Sequence, residues 1–474
     1  MNPRTFAAPR LVGVVLPILA AWTLAVSLPG AAWAWQGEAA VPARQTLAFI
    51  GVNVVPMDTE RVLADQTVVV RDGRIAAVGP SGEVRVPDDA VRIDARGKFL
   101  MPGLAEMHGH LPGGNAPQDL VQNVLFLYVA NGITLVRGMQ GHPSQLALRD
   151  AIARGELLGP RLILAGPSLG GNLETETAAR RVREQKDAGF DLLKIHEGLS
   201  PEVYGVIVAT AREVGIPFAG HVPDAVGLFG ALDAGQATVD HLDNYVEALI
   251  PASELEGAPA LFGVAERAGR ADASRIPELA AATVRAGAAV VPTMALWEVF
   301  FGGRSGASLR SEMPELRYLP PQAAEGWERA VDQRNASMGD PAGGRRVVEL
   351  RRQILRALNE AGATILLGTD SPQLFSVPGF SIHREMALMV EAGMTPYQVL
   401  RSGTRAIAEH FGELESAGTV EPGRRADLIL LDANPLEDVR NVARRAGVVV
   451  DGRWLPGAEI RRRLSTIANA YAAQ

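Results

Sequence analysis

Short apolar runs alternate with amphipathic stretches over most of this chain. The runs that have the length of buried strands lie at 99–106, 132–137, 161–165, 191–195, 217–221, 237–241, 288–293 and 364–369. Between them, segments such as PEVYGVIVATAREVG carry apolar residues at i, i+3 and i+4, which is the spacing of a helix with one buried face. Eight consecutive strand–helix units predict an α/β fold, specifically a (β/α)8 TIM barrel.

The alternative architecture is an open, doubly wound parallel sheet. That fold is disfavoured because no glycine-rich nucleotide-binding loop follows the first apolar run. Two segments, 250–285 and 295–343, are longer than ordinary loops. We predict that they carry lids or interface helices.

Both ends of the chain have a different pattern, with short strands and tight turns. The stretch QTVVVRDGRIAAVGP reads as a hairpin around an Asp72-Gly73 turn, and RADLILLDANP and GVVVDGRWL repeat the strand pattern near the other end. Neither end is long enough to bury a core alone. We therefore predict one small composite β-sandwich domain from 35–98 and 414–460, with 99–413 as the barrel.

The first 34 residues have the pattern of a secretory signal peptide. Arg4 and Arg10 precede an uncharged apolar stretch, which ends at the small-residue pattern Ala32-Trp33-Ala34. The alternative is a retained membrane anchor, but the cleavage pattern favours removal. We expect a periplasmic or secreted protein with no stable membrane span after cleavage. The formal net charge of -7 gives no reason to expect nucleic acid as a partner.

Ionisable residues lie at or just after the ends of five apolar runs. In a barrel these strand ends meet at one mouth. Any single histidine there could have a structural role, but independent structural roles would scatter over both ends of a barrel. Four imidazoles and a carboxylate at one mouth predict a first-row metal site, with Zn²⁺ as the leading candidate. The ionisable residues at these strand ends, Lys194 included, are His108, His110, Lys194, His221, His241 and Asp370.

Lys194 is the unusual member of this set. Nearby metal ions would repel its ammonium group and lower its pKa. A neutral lysine can react with CO₂ to form an anionic carbamate, whose two oxygens can bridge two metals. The alternative is an ordinary ion pair with Asp191 or Glu197.

At these residues the chain resembles the amidohydrolase superfamily in its binuclear-metal form. PGLAEMHGHL is similar to the strand-1 motif of that superfamily, LLGTDSP to its strand-8 aspartate motif, and AGTVEPGRRADLILLD to its C-terminal β-segment. Lys194, His221 and His241 follow in the expected order. The resemblance covers about residues 46–455 and is nearest to the imidazolonepropionase-like group, which includes Xaa-Pro dipeptidases.

The resemblance implies two divalent metal ions and a hydrolytic reaction. A hydroxide between the metals would attack, with Asp370 as general base and then general acid. The expected substrate is a small molecule with a peptide-like or N-acyl amino acid amide bond. The implied ligands are His108, His110 and Asp370 for one metal, His221 and His241 for the other, and N6-carboxylated Lys194 as the bridge.

Two positions depart from the dipeptidase pattern. Asn172, in SLGGNLE, stands near the place of a family histidine, and Pro223, in GHVPD, replaces a tyrosine that follows the strand-5 histidine. The resemblance therefore implies hydrolysis without implying dipeptidase activity. An esterase, lactonase or carbamate hydrolase at the same site, and a barrel that only binds its ligand, are the alternatives. The oligomeric state is open, although members of this superfamily are commonly oligomeric.

Three further residues are candidates for substrate contact. His142 follows strand 2, Tyr245 lies four residues past His241, and His383 follows strand 8. All three lie on the expected side of the barrel. For each of them a structural role in a loop is an equal alternative.

Overall fold

The computed structural model describes residues 41–255, 263–338 and 340–474, so the predicted signal peptide lies outside the described residues. The strands are β1 (Leu47–Val54), β2 (Leu63–Arg71), β3 (Arg74–Pro80), β4 (Val91–Asp94), β5 (Phe99–Pro102), β6 (Leu104–Gly109), β7 (Ile133–Gly138), β8 (Arg161–Leu164), β9 (Leu193–Ile195), β10 (Phe218–Gly220), β11 (Thr238–Asp240), β12 (Ala289–Val291), β13 (Leu428–Leu431), β14 (Arg445–Val450) and β15 (Arg453–Pro456).

The helices cover the sheets and fill the long connections. They are α1 (Gln118–Ala130), α2 (Ser144–Ala153), α3 (Thr175–Ala188), α4 (Pro201–Val214), α5 (Gly227–Asp233), α6 (Ala252–Leu255), α7 (Gly263–Arg267), α8 (Ile276–Ala286), α9 (Met294–Phe301), α10 (Gly306–Glu312), α11 (Pro321–Ser337), α12 (Pro341–Glu360), α13 (Ser381–Glu391), α14 (Pro396–Ser402), α15 (Arg405–His410) and α16 (Gly457–Ala472). None of these described helices is long and apolar enough to cross a bilayer.

The two ends of the chain form one eight-stranded sheet. Its order is β15-β14-β13-β5-β1-β2-β3, with β4 beside β1. A bridge between Arg74 and Arg425 brings β3 back to the chain just before β13, so the sheet curls over its own core. Alternate strand positions point into that core. They include Leu47, Phe49, Val68, Val70, Leu428, Leu430 and Val449.

The predicted boundary between the two domains needs a correction. The apolar run 99–106 is two strands: β5 pairs with β1 and β13 in the terminal sheet, and β6 begins the barrel. Gly103 lies between them, where a Cβ would stand 2.3 Å from the Oγ1 atom of Thr134. Both strands are buried, so hydrophobicity alone shows no break. The terminal unit also extends past 460, because α16 packs its apolar face on β14 and α1.

Parallel strands surround the centre of the larger unit. One sheet has the order β6-β7-β8 and another β12-β11-β10-β9, and a bridge from Ala165 to Leu192 joins them. The segment 364–371 lies between β12 and β6: the Leu366 N–H donates to the carbonyl of Val290, and the Met107 N–H to that of Leu367. These bonds and the parallel bridges Val290–Ile365 and Gly109–Ser371 place the segment between β12 and β6. The carboxyl ends of these parallel strands therefore face one side.

The two long connections contain helices. The described part of 250–285 holds α6, α7 and most of α8, and 295–343 holds α10, α11 and most of α9. Within α9 the rings of Trp297 and Phe301 stack with centroids 5.5 Å apart. A role of these segments as lids stays a prediction.

Arg445 on β14 joins the terminal sheet to the barrel helices. Its guanidinium donates to the carbonyl oxygen of Ala130 at 2.8 Å and to the Oδ1 atom of Asn131 at 2.8 Å. The Nη1 atom lies 3.0 Å from Nε2 of His383. His383 was a candidate for substrate contact, with a structural role as the equal alternative; its ring lies between Asn131 and Arg445, which agrees with the structural role.

Replacing Arg445 with methionine should therefore weaken the junction. The acceptors on Ala130 and Asn131 would lose their donor, and we expect a loss of about 1–3 kcal/mol in the free energy of unfolding. Urea unfolding followed by circular dichroism measures this. Arg444→Met, at the exposed neighbouring position, is the matched control. Equal stability of the two variants would contradict the proposed importance of the junction.

Candidate metal centre

His108 stands at the end of β6 with both ring nitrogens engaged. Its Nδ1 atom is 2.6 Å from Oδ2 of Asp240, and its Nε2 atom is 3.0 Å from Nζ of Lys194. His110 follows two residues later on the same side, and its Nε2 atom is 3.0 Å from Oδ1 of Asp370. The two histidines thus face Lys194 on β9 and Asp370 in the segment 364–371.

The buried carboxylate of Asp240 fixes the orientation of His108. Arg137, which is 1% exposed, donates from Nη2 to Asp240 at 3.0 Å and from Nε to the carbonyl of Met107 at 2.6 Å. Burial alone would raise the pKa of Asp240, but Arg137 and Lys194 hold it below its ordinary value. An ionised Asp240 accepts the Nδ1 proton of His108, which leaves Nε2 as the nitrogen available to a metal.

His221 and His241, which directly follow β10 and β11, repeat this arrangement. Nδ1 of His221 is 2.7 Å from Oδ2 of Asp243, and Nδ1 of His241 is 2.9 Å from Oγ1 of Thr293. The two ring centroids are 4.6 Å apart. The buried Nε2 atom of His241 has no hydrogen-bond partner among the described residues. This ring nitrogen is therefore available to ligate a metal through its lone pair when Nδ1 carries the proton.

Asp370 lies in the segment 364–371, in a strained conformation that the surrounding contacts maintain. Its φ is +60°, in the left-handed region that non-glycine residues rarely adopt. The preceding Thr369 donates its N–H and its hydroxyl to Glu106, and the Tyr128 hydroxyl donates to the carbonyl of Ser371 at 2.9 Å. The buried Oδ1 atom of Asp370 lies 3.0 Å from Nε2 of His110 but makes no hydrogen bond of suitable angle among the described residues.

Lys194 lies inside the cluster, with 2% of its surface exposed. Gly220 makes room for it, since a Cβ there would stand 2.8 Å from the Cδ atom of Lys194. Burial lowers the pKa of Lys194. The ion-pair alternatives are not formed: Asp191 pairs with Arg149 at 3.1 Å, and Glu197 accepts the backbone N–H of Asp224.

The donor set fits divalent metal ions. The ligand atoms of His108, His110 and Asp370 lie within 4.8 Å of one another. Burial pushes the pKa of His108 and of His241 well below the ordinary value, so both rings are neutral, as metal ligation requires. The unpartnered atoms on His241 and Asp370 are the groups that a bound cation would satisfy. Imidazole with carboxylate oxygen is a donor set suited to Zn²⁺.

The other expected residues lie elsewhere. Tyr245 was a candidate for substrate contact, but it is fully buried and its hydroxyl is 2.6 Å from Oγ1 of Thr283, so it belongs to the core. His142 is exposed, and its Nδ1 atom accepts the backbone N–H of Gly114 at 3.0 Å. That bond ties two loops together, and a substrate contact by His142 stays a prediction.

Several residues that orient the ligands were missed from the sequence. Asp240 and Asp243 flank His241 in TVDHLDNY, and Arg137 interrupts the apolar run ITLVRG. Charged residues within or beside a buried strand end were the available signal, because a buried charge must be paired. Thr293, which follows β12, carried no comparable signal.

Comparisons with known proteins agree with this geometry. The amidohydrolase family model matches residues 329–455. An ochratoxinase of Aspergillus niger is 22% identical over 468 residues, covering 84% of this chain and 83% of the relative. An imidazolonepropionase of Micrococcus luteus is 26% identical over 415 residues, covering 82% and 93%.

Solved structures with the same fold extend over most of the chain. Bottromycin amidohydrolase superposes with a TM-score of 0.69 at 26% identity, covering 90% of each chain. A Xaa-Pro dipeptidase with bound methionine superposes with a TM-score of 0.63 at 20% identity, covering 87% of this chain and 100% of that one. These comparisons support an amidohydrolase superfamily member that is similar to imidazolonepropionases and to a putative prolidase of Bifidobacterium longum, which is 26% identical. The relatives and neighbours are hydrolases of that superfamily, and their similarity supports a hydrolase here.

The role of Asp240 gives a test that needs no substrate. Asp240→Asn removes the negative charge that fixes the Nδ1 proton of His108, and we expect metal affinity to fall by about 10- to 100-fold. Competition with a chromophoric chelator measures the affinity. Asp233→Asn, at an exposed position on α5, is the control. Unchanged affinity in Asp240→Asn would show that this carboxylate does not support the metal ligands.

Proposed function

We propose that this chain is an exported, metal-dependent hydrolase of amide bonds in small peptide-like or N-acyl amino acid substrates. The buried cluster carries the proposal, because the unpartnered Nε2 of His241 and Oδ1 of Asp370 face the same group of imidazoles that surrounds Lys194. The names of the relatives, which include an amidohydrolase and a dipeptidase, support amide chemistry. The pattern of residues 1–34 supports export to the periplasm or the medium.

In this proposal two metal ions, expected to be Zn²⁺, share one set of side chains. When bound, such ions lower the pKa of a water molecule toward neutrality and polarise a carbonyl oxygen. The ligands would be His108, His110 and Asp370 for one ion, His221 and His241 for the other, and Lys194 in its carboxylated form between them.

The carboxylation of Lys194 requires a neutral amine and carbon dioxide. Burial disfavours the ammonium form, and the amine lies 3.0 Å from Nε2 of His108. The Nζ lone pair forms a bond to the carbon of CO₂, and one N–H proton is released to solvent. The product is an anion with two oxygens. It replaces the ammonium group, which would repel metal ions, with a group that can bind them. The space that Gly220 leaves around the lysine stem supports this arrangement.

In this proposal Asp370 moves the proton during hydrolysis. Its buried Oδ1 atom lies 3.0 Å from Nε2 of His110, among the candidate metal ligands, and would accept a proton from the attacking water. The water oxygen then bonds to the carbonyl carbon, the C–N bond breaks, and Asp370 passes its proton to the leaving nitrogen. The products are a carboxylate and an amine. The contacts that hold the strained backbone of Asp370 keep this carboxylate in one orientation.

Metal content tests the two-metal arrangement. We expect about two Zn²⁺ per chain in wild type, as in hydrolases with two-metal sites, and fewer in Lys194→Ala. Elemental analysis of the purified proteins measures the ratio. Lys186→Ala, on the exposed face of α3, should retain the wild-type ratio. One metal per chain that is indifferent to Lys194 would rule out the bridging carbamate.

Activity tests the role of Asp370. Asp370→Asn cannot accept a proton, and we expect kcat on an amide substrate to fall by about 10²- to 10⁴-fold. Metal content measured in parallel separates loss of proton transfer from loss of a ligand. Asp187→Asn, at an exposed position on α3, is the control. Retained amide hydrolysis in Asp370→Asn would refute the proton-transfer role, and turnover of esters or lactones alone by wild type would refute the amide specificity.

A further inference from the structure

Three imidazoles of the candidate metal centre are oriented at Nδ1, but by two kinds of partner. Nδ1 of His108 and Nδ1 of His221 each face an aspartate carboxylate. Nδ1 of His241 instead lies 2.9 Å from the hydroxyl oxygen of Thr293. An ionised carboxylate can only accept and therefore fixes a proton on Nδ1, whereas a hydroxyl can accept or donate. Of the three rings, His241 therefore has the proton that is oriented least firmly.

The contact with Thr293 matters for metal ligation by His241. When Nε2 binds a cation, the proton of the neutral imidazole stays on Nδ1. That nitrogen belongs to a residue that is 1% exposed, and the Thr293 hydroxyl oxygen is its acceptor among the described residues. A buried N–H without an acceptor is costly, so displacement of the hydroxyl would weaken metal binding at His241.

Thr293 holds its position against its own backbone preference. Its φ is +47° and its ψ is 46°, in the left-handed region that is unfavourable for a β-branched residue. The residue is fully buried, in the short connection between β12 and α9. A strained conformation of this kind persists only where the surrounding contacts determine it.

The carboxylate of Glu385 on α13 supplies such contacts. Its Oε1 atom accepts the backbone N–H of Met294 at 2.8 Å, and its Oε2 atom accepts that of Ala295 at 2.7 Å. These two residues begin α9, and Glu385 is fully buried. The hydrogen bonds are charge-assisted, and the negative charge lies at the positive end of the helix. The two oxygens of one side chain thus hold the peptide groups that follow Thr293.

We propose that Glu385 is a positioning residue for the metal centre: it holds the bend at Thr293, and Thr293 supports His241 as a metal ligand. This rests on the two-metal centre of the proposed function. The metal ion assigned to His221 and His241 is then the weaker of the two, because one of its imidazoles has a hydroxyl partner in place of a carboxylate. Glu385 acts on the affinity for this ion and leaves the other ion unaffected.

The competing explanation is that Glu385 serves only the fold. It caps α9, and its charge lies within electrostatic reach of Arg351 and Arg384. Loss of a pure capping residue would lower the thermal midpoint of the metal-free protein and leave the metal affinity of the folded protein unchanged. A positioning residue changes the affinity for one ion, and it does so through Thr293. The two explanations therefore predict different metal titrations.

The experiment titrates Zn²⁺ into the metal-free protein in competition with a chromophoric chelator. Burial raises the pKa of Glu385 to about 7, so titrations at about pH 8 use its ionised form. We expect wild type to bind two ions with unequal affinity. In Thr293→Val, which keeps the volume and removes the hydroxyl, the affinity for the weaker ion should fall about 10- to 100-fold. Thr293→Ser, which keeps the hydroxyl, should remain close to wild type.

Glu385→Gln keeps the size of the side chain but turns an amide N–H toward a backbone N–H. It should weaken the same ion as Thr293→Val and leave the stronger ion unchanged. The double variant should bind the weaker ion no more weakly than Thr293→Val alone, because residues that act through one contact are not additive. Glu385→Asp, which keeps the charge on a shorter side chain, should show a smaller loss at the same ion, and it serves where Glu385→Gln does not fold.

Glu391→Gln, exposed on the same helix, is the control and should titrate like wild type. Thermal midpoints of the metal-free variants measure the capping effect separately. Equal weakening of both ions, additive losses in the double variant, wild-type affinity in the Glu385 variants or in Thr293→Val, or two ions of equal affinity in wild type would overturn the assignment of Glu385. A wild type that binds no metal would instead overturn the proposed metal centre.

Discussion

The buried carboxylate of Asp240 is the contact on which the centre of this molecule depends. It accepts from His108 on one side and from Arg137 on the other, and both partners are nearly without exposed surface. The side chains of His108, Arg137 and Asp240 thereby connect the three strands β6, β7 and β11. If any of these strands were displaced, a charged side chain would be left unpaired in the protein interior, which costs free energy of folding. The same contact orients a candidate metal ligand, so the fold and the site share one constraint.

Much of the architecture was predictable because buried parallel strands appear in the sequence as nearly continuous apolar runs. The runs 217–221 and 237–241 coincide closely with β10 and β11, and the segment PEVYGVIVATAREVG with α4. The split of 99–106 was not predictable, because β5 and β6 are both buried and differ only in their partners. Nor was α16 predicted, since its helical pattern follows a segment that had been read as the end of a β-domain.

The candidate ligands were predictable for a different reason. A histidine or aspartate at the end of an apolar run can be recognised in the sequence. Because the carboxyl ends of parallel strands lie on one side of the fold, such residues are brought close together. Tyr245 and His383 show the limit of this reasoning. Each follows a strand end, yet one has its hydroxyl against Thr283 and the other faces Arg445 of the terminal sheet. Which way a loop residue points depends on partners that are distant in sequence.

The position of β5 has a consequence for the order of assembly. Its partners are β1, made early in synthesis, and β13, made more than 300 residues later. Because β6 follows β5 after one glycine, the strand that carries His108 is tied on its N-terminal side to both an early and a late part of the chain. The full set of pairings around β5 can form only after β13 has been synthesised, so the support of this strand is completed late.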